Sequence, residues 1–218
     1  YIAKESRAHG VKGILDQIHE QRIPCDTVPQ AKLNTLTGTQ EHQGIAATIS
    51  PIQYHDLNTF LENCAEHTNL LILDQVHNPK NIGMLIRAAL GAGVNGIVLP
   101  ERGGALIDDD IIRASAGTAL RMPIITCKNL AQSLRTLRDQ NFWIYALDAN
   151  GKQSIFNMDW PQRCALILGN ETKGIRPGIL KQCDDTLSIP LHNDLESLNV
   201  AIAGSIALFQ LSQRKPQA

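Results

Sequence analysis

Four short, almost purely apolar runs constrain this chain most: Leu70-Leu71-Ile72-Leu73, Gly96-Ile97-Val98-Leu99, Trp143-Ile144-Tyr145-Ala146-Leu147 and Ala165-Leu166-Ile167-Leu168. A half-exposed strand alternates apolar and polar residues, whereas a strand hidden on both faces reads as one continuous apolar run. Between and after these runs lie segments with helical periodicity, at residues 79–92, 108–114, 131–139 and 198–213, and shorter strand-like runs fall at 123–126 and 187–190. Strands buried on both faces, alternating with helices, predict an α/β fold with a mostly parallel sheet flanked by helices.

The first quarter of the chain is a smaller unit. Val11, Ile14, Leu15 and Ile18 follow the i, i+3, i+4, i+7 rule, so residues 4–22 read as a helix. A strand at 23–28 interrupted by Pro24, a short helix at 32–36 and a strand at 44–49 ending before Pro51 follow. Residues 1–52 are read as a partial α/β module and 70–218 as the main domain. Between them, 53–69 carries Asp56, Glu62 and Glu66 and no Lys or Arg, and is read as a linker with a helical turn around Leu57, Phe60 and Leu61. The chain opens on Tyr1 rather than Met, which suggests that it begins inside a longer protein.

Composition excludes several classes. Twenty basic residues against 21 acidic ones leave a net charge of -1, which rules out a strongly basic nucleic-acid-binding tail and an acidic disordered tract. The longest apolar stretch, residues 198–211, is interrupted by Asn199, Gly204, Ser205 and Gln210 and is too short to span a bilayer. No signal-peptide pattern is present at the start. The 5 cysteines include no C-x-x-C pair, so reduced thiols in a cytoplasmic protein are expected. The 7 histidines form no H-E-x-x-H, and no metal site is expected.

In open α/β sheets, ligands gather at the C-terminal ends of strands. Three such ends are rich in polar residues and glycine. After the first, Asn78 suits an N-cap with Pro79 at the first helical position. Ile82, Leu85, Ile86 and Ala89 form the helix's core stripe, with Arg87 well off it and Gly83 and Gly91 one turn to either side. Either a ligand approaches that face or a solvated arginine sits among small packing residues. The second end, Gly169-Asn170-Glu171-Thr172-Lys173-Gly174, is neither a dinucleotide fingerprint nor a P-loop. Its glycines allow close main-chain approach to a ligand, or make a plain strand-to-helix turn. Glu171 there suits a base, an orienting acceptor or a helix N-terminal charge. The third runs from Ile189 to Ala201, with Ser197 as the expected N-cap of the last helix. Ten of the 14 residues from 198 to 211 are apolar, which points to a helix buried in a homodimer interface.

Taken together and in this order, the three loops resemble the SpoU (TrmH-type) family of RNA 2′-O-methyltransferases. The resemblance rests on Asn81 and Arg87 within Asn-Ile-Gly-Met-Leu-Ile-Arg-Ala-Ala, on Gly169-Asn170-Glu171-Thr172-Lys173-Gly174-Ile175, and on Ile189-Pro190-Leu191 through Ser197-Leu198-Asn199-Val200-Ala201. Residues 41–46 also look like the end of the family's L7Ae/L30e-like RNA-binding module, which points to the branch that modifies a guanosine of 23S rRNA.

The resemblance implies a methyltransferase core with a C-terminal deep trefoil knot, S-adenosylmethionine as cofactor, a homodimer, and RNA as partner. It implies that Gly169, Ile189 and Leu198, with Leu168 and Gly174 beside them, contact the cofactor. It implies a catalytic set of Arg87, Asn81, Glu171, Ser197 and Asn199. A guanidinium stays protonated, so Arg87 is read as a clamp on the phosphate and on the developing charge at the 2′-oxygen, with Glu171 or a water taking the proton. Glu196, beside Ser197, departs from the family pattern. From Asn69 onward 15 basic residues face 13 acidic ones, so RNA affinity is expected to be modest and salt-sensitive. The competing readings are a tRNA ribose 2′-O-methyltransferase of the same family and a non-catalytic RNA-binding or ribosome-assembly protein.

Overall fold

The computed structural model describes residues 1–4 and 9–213, arranged as two compact units, Tyr1–Pro51 and Ile52–Ala218. In the first unit β1 (Ile2–Ala3) pairs in parallel with β2 (Thr27–Val28), and two helices, α1 (His9–Glu20) and α2 (Gln30–Thr37), complete it. Ala3, Val28 and Leu33 form its small core. Of the helix expected at 4–22, residues 5–8 lie outside the described residues. The strand expected at 44–49 is not formed. Gly44 takes a positive φ of 82°, and the segment meets the chain's start through an isolated bridge between Ile2 and Ile45 and a bond from the Tyr1 amine to Ala46 O.

The second unit is built on an eight-stranded sheet. Its strands are β3 (Tyr54–Asp56), β4 (Thr68–Asp74), β5 (Gly96–Pro100), β6 (Ile124–Cys127), β7 (Trp143–Leu147), β8 (Gln153–Ser154), β9 (Arg163–Gly169) and β10 (Asp185–Ser188). They lie in the order β3-β6-β5-β4-β9-β7-β10-β8, and every pairing is parallel. The segment 53–69, read from sequence as a linker, supplies the edge strand β3 and the helix α3 (Leu57–Glu62). All three residues of β3 are exposed, so no apolar run marks it. Asp56 caps α3 by accepting from Asn58 N and Thr59 N.

The apolar runs behave as continuous runs must. Alternate residues serve opposite faces of the sheet. Leu71, Leu73, Ile97, Leu99, Leu166 and Leu168 pack on one side with α4 (Pro79–Gly91), α5 (Asp109–Ala114) and α8 (Val200–Ser212). Leu70, Ile72, Val98, Ala165 and Ile167 pack on the other with α3, α6 (Leu130–Asp139) and α7 (Pro177–Leu180). Helices α4 and α8 lie against each other closely. A Cβ added at Gly204 would sit 2.4 Å from Leu85 Cδ2 and 2.5 Å from Leu168 Cδ1. Among the described residues no helix is long and apolar enough to cross a membrane.

Parallel strands end on one side, so the loops after β4, β7, β9 and β10 open at the same edge of the sheet. Strands β4 and β9 run in register from Thr68↔Arg163 to Asp74↔Gly169, which sets the ends of the first and second loops side by side.

Candidate active site

The site begins with a buried asparagine. Asn78 caps α4, its side chain accepting from Lys80 N at 3.0 Å, and Pro79 follows where its missing N–H costs nothing. That start places Asn81 in the first turn of α4, only 5% exposed. A buried amide has to be satisfied. Asn81 Nδ2 donates to Glu171 Oε1 at 3.0 Å, and Asn81 Oδ1 accepts from Asn199 Nδ2 at 3.1 Å.

Asn199, not Ser197, is the N-cap of α8. Its Oδ1 accepts from Ala201 N at 2.9 Å and Ile202 N at 3.3 Å. Sequence alone favours the serine, since both residues cap well. The asparagine takes the position because its amide nitrogen is also held by Asn81. Ser197 remains exposed and lines the cleft described below.

The loop after β9 is closed on itself. Asn170 and Gly174 exchange two main-chain hydrogen bonds, Asn170 N to Gly174 O at 3.0 Å and Gly174 N to Asn170 O at 2.9 Å. Asn170 Oδ1 accepts from Thr172 N and Lys173 N, and its Nδ2 donates to Gln75 O at 2.8 Å. Gly174 has φ 66°. Gly169 is a glycine for want of room, because a Cβ there would lie 2.3 Å from Gly174 C and Ile175 N.

The direction of every bond in the asparagine chain is set. Asn199 Oδ1 is occupied by backbone N–H donors, so its Nδ2 faces Asn81 and Asn81 must accept there. Asn81 then has only its N–H group to offer Glu171, a bond that favours the carboxylate form. Burial raises the Glu171 carboxyl, but the hydrogen bond from Asn81, main-chain hydrogen bonds and nearby His77 outweigh it and hold the group below its usual value.

A cleft of about 620 Å³ opens between the loops. Leu168, Gly169, Glu171 and Gly174 line it from one loop, and Ile189, Ser197, Leu198 and Asn199 from another. Asn81 lies behind Glu171 and Asn199 rather than in the wall. Arg87 is exposed on α4, six residues beyond Asn81, and is not among the residues that line the cleft.

Sequence reasoning missed two parts. The end of β7 supplies a further wall, Leu147 to Asn150. Its signal is the one used for the other loops, a strand running into Asp148-Ala149-Asn150-Gly151. The other part is the ion pair of Asp74 with Arg176 at the base of the Gly169 loop.

The arrangement suits a cofactor with an apolar body and cationic groups. The volume is that of a small-molecule site. Leu168, Ile189 and Leu198 give aliphatic walls, the glycine at 169 lets main chain approach, and the carboxylates of Asp148 and Glu171 lie in the lining. Among the described residues no group of three or more His, Cys, Asp or Glu is placed to hold a metal ion.

Comparison with known proteins decides the family. The model of the SpoU rRNA Methylase family matches residues 68–209. The chain belongs to this family. A second model, RNA 2′-O ribose methyltransferase substrate binding, matches residues 1–55. The SpoU chain is 34% identical over 205 residues to the 23S rRNA (guanosine-2′-O-)-methyltransferase RlmB of Xylella fastidiosa, covering 93% of this chain and 82% of that protein. Among solved structures it resembles the SpoU methyltransferase AviRb of Streptomyces viridochromogenes in complex with AdoMet. The TM-score is 0.79 at 20% identity, over 98% of this chain and 81% of that one. It also resembles the AdoMet-bound rRNA methyltransferase of Sinorhizobium meliloti, with TM-score 0.73 at 24% identity, over 95% and 78%. These two likenesses show the fold; the family match shows an RNA methyltransferase.

Proposed function

We propose that this SpoU methyltransferase transfers the methyl group of S-adenosylmethionine to the ribose 2′-hydroxyl of a guanosine in 23S rRNA. The observation that carries the reading is the chain Asn199–Asn81–Glu171, which presents an ionised carboxylate at the wall of a cleft fitted for the cofactor. The 34% identity to RlmB favours guanosine and 23S rRNA over other targets.

When bound, the cofactor supplies an electrophilic methyl group on a sulfonium. Main chain at Gly169 and Gly174 and the side chains of Leu168, Ile189 and Leu198 hold it. Glu171 accepts the proton of the 2′-hydroxyl, a role that needs an acceptor within hydrogen-bond reach rather than a strong base in bulk. Asn81 keeps Glu171 ionised and aimed. Ser197 contributes a hydroxyl to the wall. Arg87 grips the phosphate next to the target ribose, where its planar fork stabilises charge developing on the 2′-oxygen.

The working form is a homodimer. Ile202 is 53% exposed and Phe209 49%, two turns apart on α8, and Met84 of α4 is 44% exposed. Phe209 lies over Gly91, one turn beyond Arg87 on α4. A second copy covering this face would lie within a turn of Arg87, which its own chain's cleft does not use. The unit Tyr1–Pro51 serves as a partial L7Ae/L30e-like RNA-binding module, and residues 70–218 as the methyltransferase domain with a C-terminal trefoil knot. The placement of β10 beyond β7 rather than beside β9 supports such threading. The protein acts in the cytoplasm, where ribosomal RNA is modified.

The test is methyl transfer from labelled cofactor to 23S rRNA and to tRNA transcripts, with the modified nucleotide mapped. A 2′-O-methylguanosine in 23S rRNA alone is expected. Modification of tRNA alone would move the target, and absence of S-adenosylmethionine binding by calorimetry would leave a non-catalytic RNA-binding protein.

A further inference from the structure

We propose that Asp74 and Arg176, neither of which lines the cleft, are positioning residues that set the shape of the cofactor slot through the Gly169 loop. Asp74 ends β4 and is 0% exposed. Its carboxylate takes three donors from one residue. Arg176 N reaches Oδ2 at 3.0 Å, Arg176 Nε reaches Oδ1 at 2.8 Å, and a terminal guanidinium nitrogen reaches Oδ1 at 2.6 Å.

A buried carboxylate is a poor way to finish a strand if stability is all that is required. An apolar residue of similar size does as well or better, and ion pairs in such places serve to fix one arrangement among several. The arrangement fixed here is that of the cleft wall. Asp74 is the register partner of Gly169, where the loop begins, and it binds Arg176, just after the loop ends. The main-chain bond from Arg176 N holds the peptide that follows Ile175. The peptide just before it, Gly174–Ile175, is the backbone against which Gly169 packs, with no room for a methyl group between them. One carboxylate therefore ties both ends of the loop. Gly169 and Gly174 are presented to the cleft in a single geometry before any ligand arrives, which lowers the cost of ordering on binding.

The inference rests on the reading of this cleft as the S-adenosylmethionine site. It goes beyond it by assigning cofactor affinity to two residues that do not touch the cofactor. Arg176 is 41% exposed in its side chain, so the pair can be altered at its outer end without opening the core. The double variant Asp74→Asn/Arg176→Gln removes both charges together and leaves no unpaired buried ion. A second variant, Arg176→Lys, keeps the charge and removes the fork.

Binding of S-adenosylmethionine to the full chain is measured by calorimetry, alongside methyl transfer to 23S rRNA and a thermal melt. In the double variant the Kd and KM for the cofactor should rise on the order of tenfold or more, as expected for losing hydrogen bonds to a charged group. The kcat at saturating cofactor should fall far less than cofactor affinity, because Asn81 holds Glu171 independently of the pair, and the KM for RNA should stay as in the unaltered protein. Arg176→Lys should fall between. Folded variants that bind the cofactor as tightly as the unaltered protein would overturn the proposal, and so would a fall in kcat and RNA affinity matching that for the cofactor. If the unaltered protein itself binds no S-adenosylmethionine, the reading of the cleft fails instead.

Discussion

Asn81 and Glu171 stand 90 positions apart in the chain, and the amide of the first donates to the carboxylate of the second at 3.0 Å. The direction of that bond is imposed from behind, because Asn199 spends its carbonyl oxygen on the first turn of α8. A helix cap thereby favours the ionised form of an acid on another loop. Glu171 is held as an acceptor because Asn81 can turn only its N–H towards it, and Asn170 Nδ2 and main-chain donors face it as well.

Replacing Glu171 with Gln keeps an oxygen for Asn81 and removes the proposed proton acceptor. Cofactor binding should be unchanged while kcat falls by about 10²–10⁴-fold, the usual range for a lost general base. The sign of the pH effect on stability follows from the lowered carboxyl. Its contribution is complete above the ordinary value of 4.5 and is lost as the pH falls through the lower folded value. Melting curves of the native protein and the Gln variant should therefore keep a constant separation from pH 7 to 5 and converge below pH 4, two limits set by that linkage (roughly).

Asn199→Asp separates the two duties of Asn199. Aspartate caps a helix as well as asparagine does, and its charge suits a helix N-terminus. It offers no N–H to Asn81, whose amide must then turn its donor towards the new carboxylate and its oxygen towards Glu171. Melting temperature should hold, while the acid limb of the pH–rate profile moves upward because Glu171 is driven to protonate. Asn199→Ala should instead lose both, at about 1 kcal/mol of stability for the cap.

Two glycine substitutions should fail differently. At Gly169 the added methyl meets main chain, which cannot yield without moving the loop. Gly169→Ala should fold and lose cofactor affinity by about tenfold or more, on the scale of an overpacking penalty spent at the slot. At Gly204 it meets the tips of Leu85 and Leu168, which can shift. Helix propensity recovers part of the strain, so Gly204→Ala should cost about 1 kcal/mol in denaturant unfolding.

Arg87→Lys keeps the charge on α4 and loses the two-pronged geometry. Calorimetry should show unaltered S-adenosylmethionine binding, and methyl transfer should lose most of its rate. Full activity in this variant would remove the phosphate clamp from the mechanism.

Glutamate at both Ile202 and Phe209 should convert a dimer to a monomer in sedimentation without lowering the melting temperature of the chain, since both side chains are half exposed in the single subunit. The unaltered protein sedimenting as a monomer at low micromolar concentration would end the dimer proposal.

Much of the sheet was legible because strands buried on both faces cannot hide their composition. The runs at Leu70, Gly96, Trp143 and Ala165 all became strands of the central sheet. The exceptions share a cause. Strand β3 exposes all three residues and β8 has only two, so neither carries an apolar signature. Helix α7, four residues long, is too short to show a period. Within the site, the glycines and Glu171 announced themselves as strand-end residues, but the bond that aims Glu171 did not. Nor did the Asp74–Arg176 pair, since its partners are 102 positions apart and each looks locally like an ordinary surface charge. The choice of Asn199 over Ser197 as cap belongs to the same class, being settled by a contact from α4 that no local preference records.

The pairing of β4 with β9 at the middle of the sheet has a temporal consequence. These neighbours are separated by β5, β6, β7 and β8 in the chain, and Asp74 waits for Gly169 to be made before the two can align. During synthesis the first strands of this unit emerge with one edge of β4 unsatisfied, and no chain that stops before β9 can close it. A ribosome making this unit therefore carries an open-sided intermediate while β5 to β8 are added, and the cleft, lined by residues as far along as Ala203, is completed only after them.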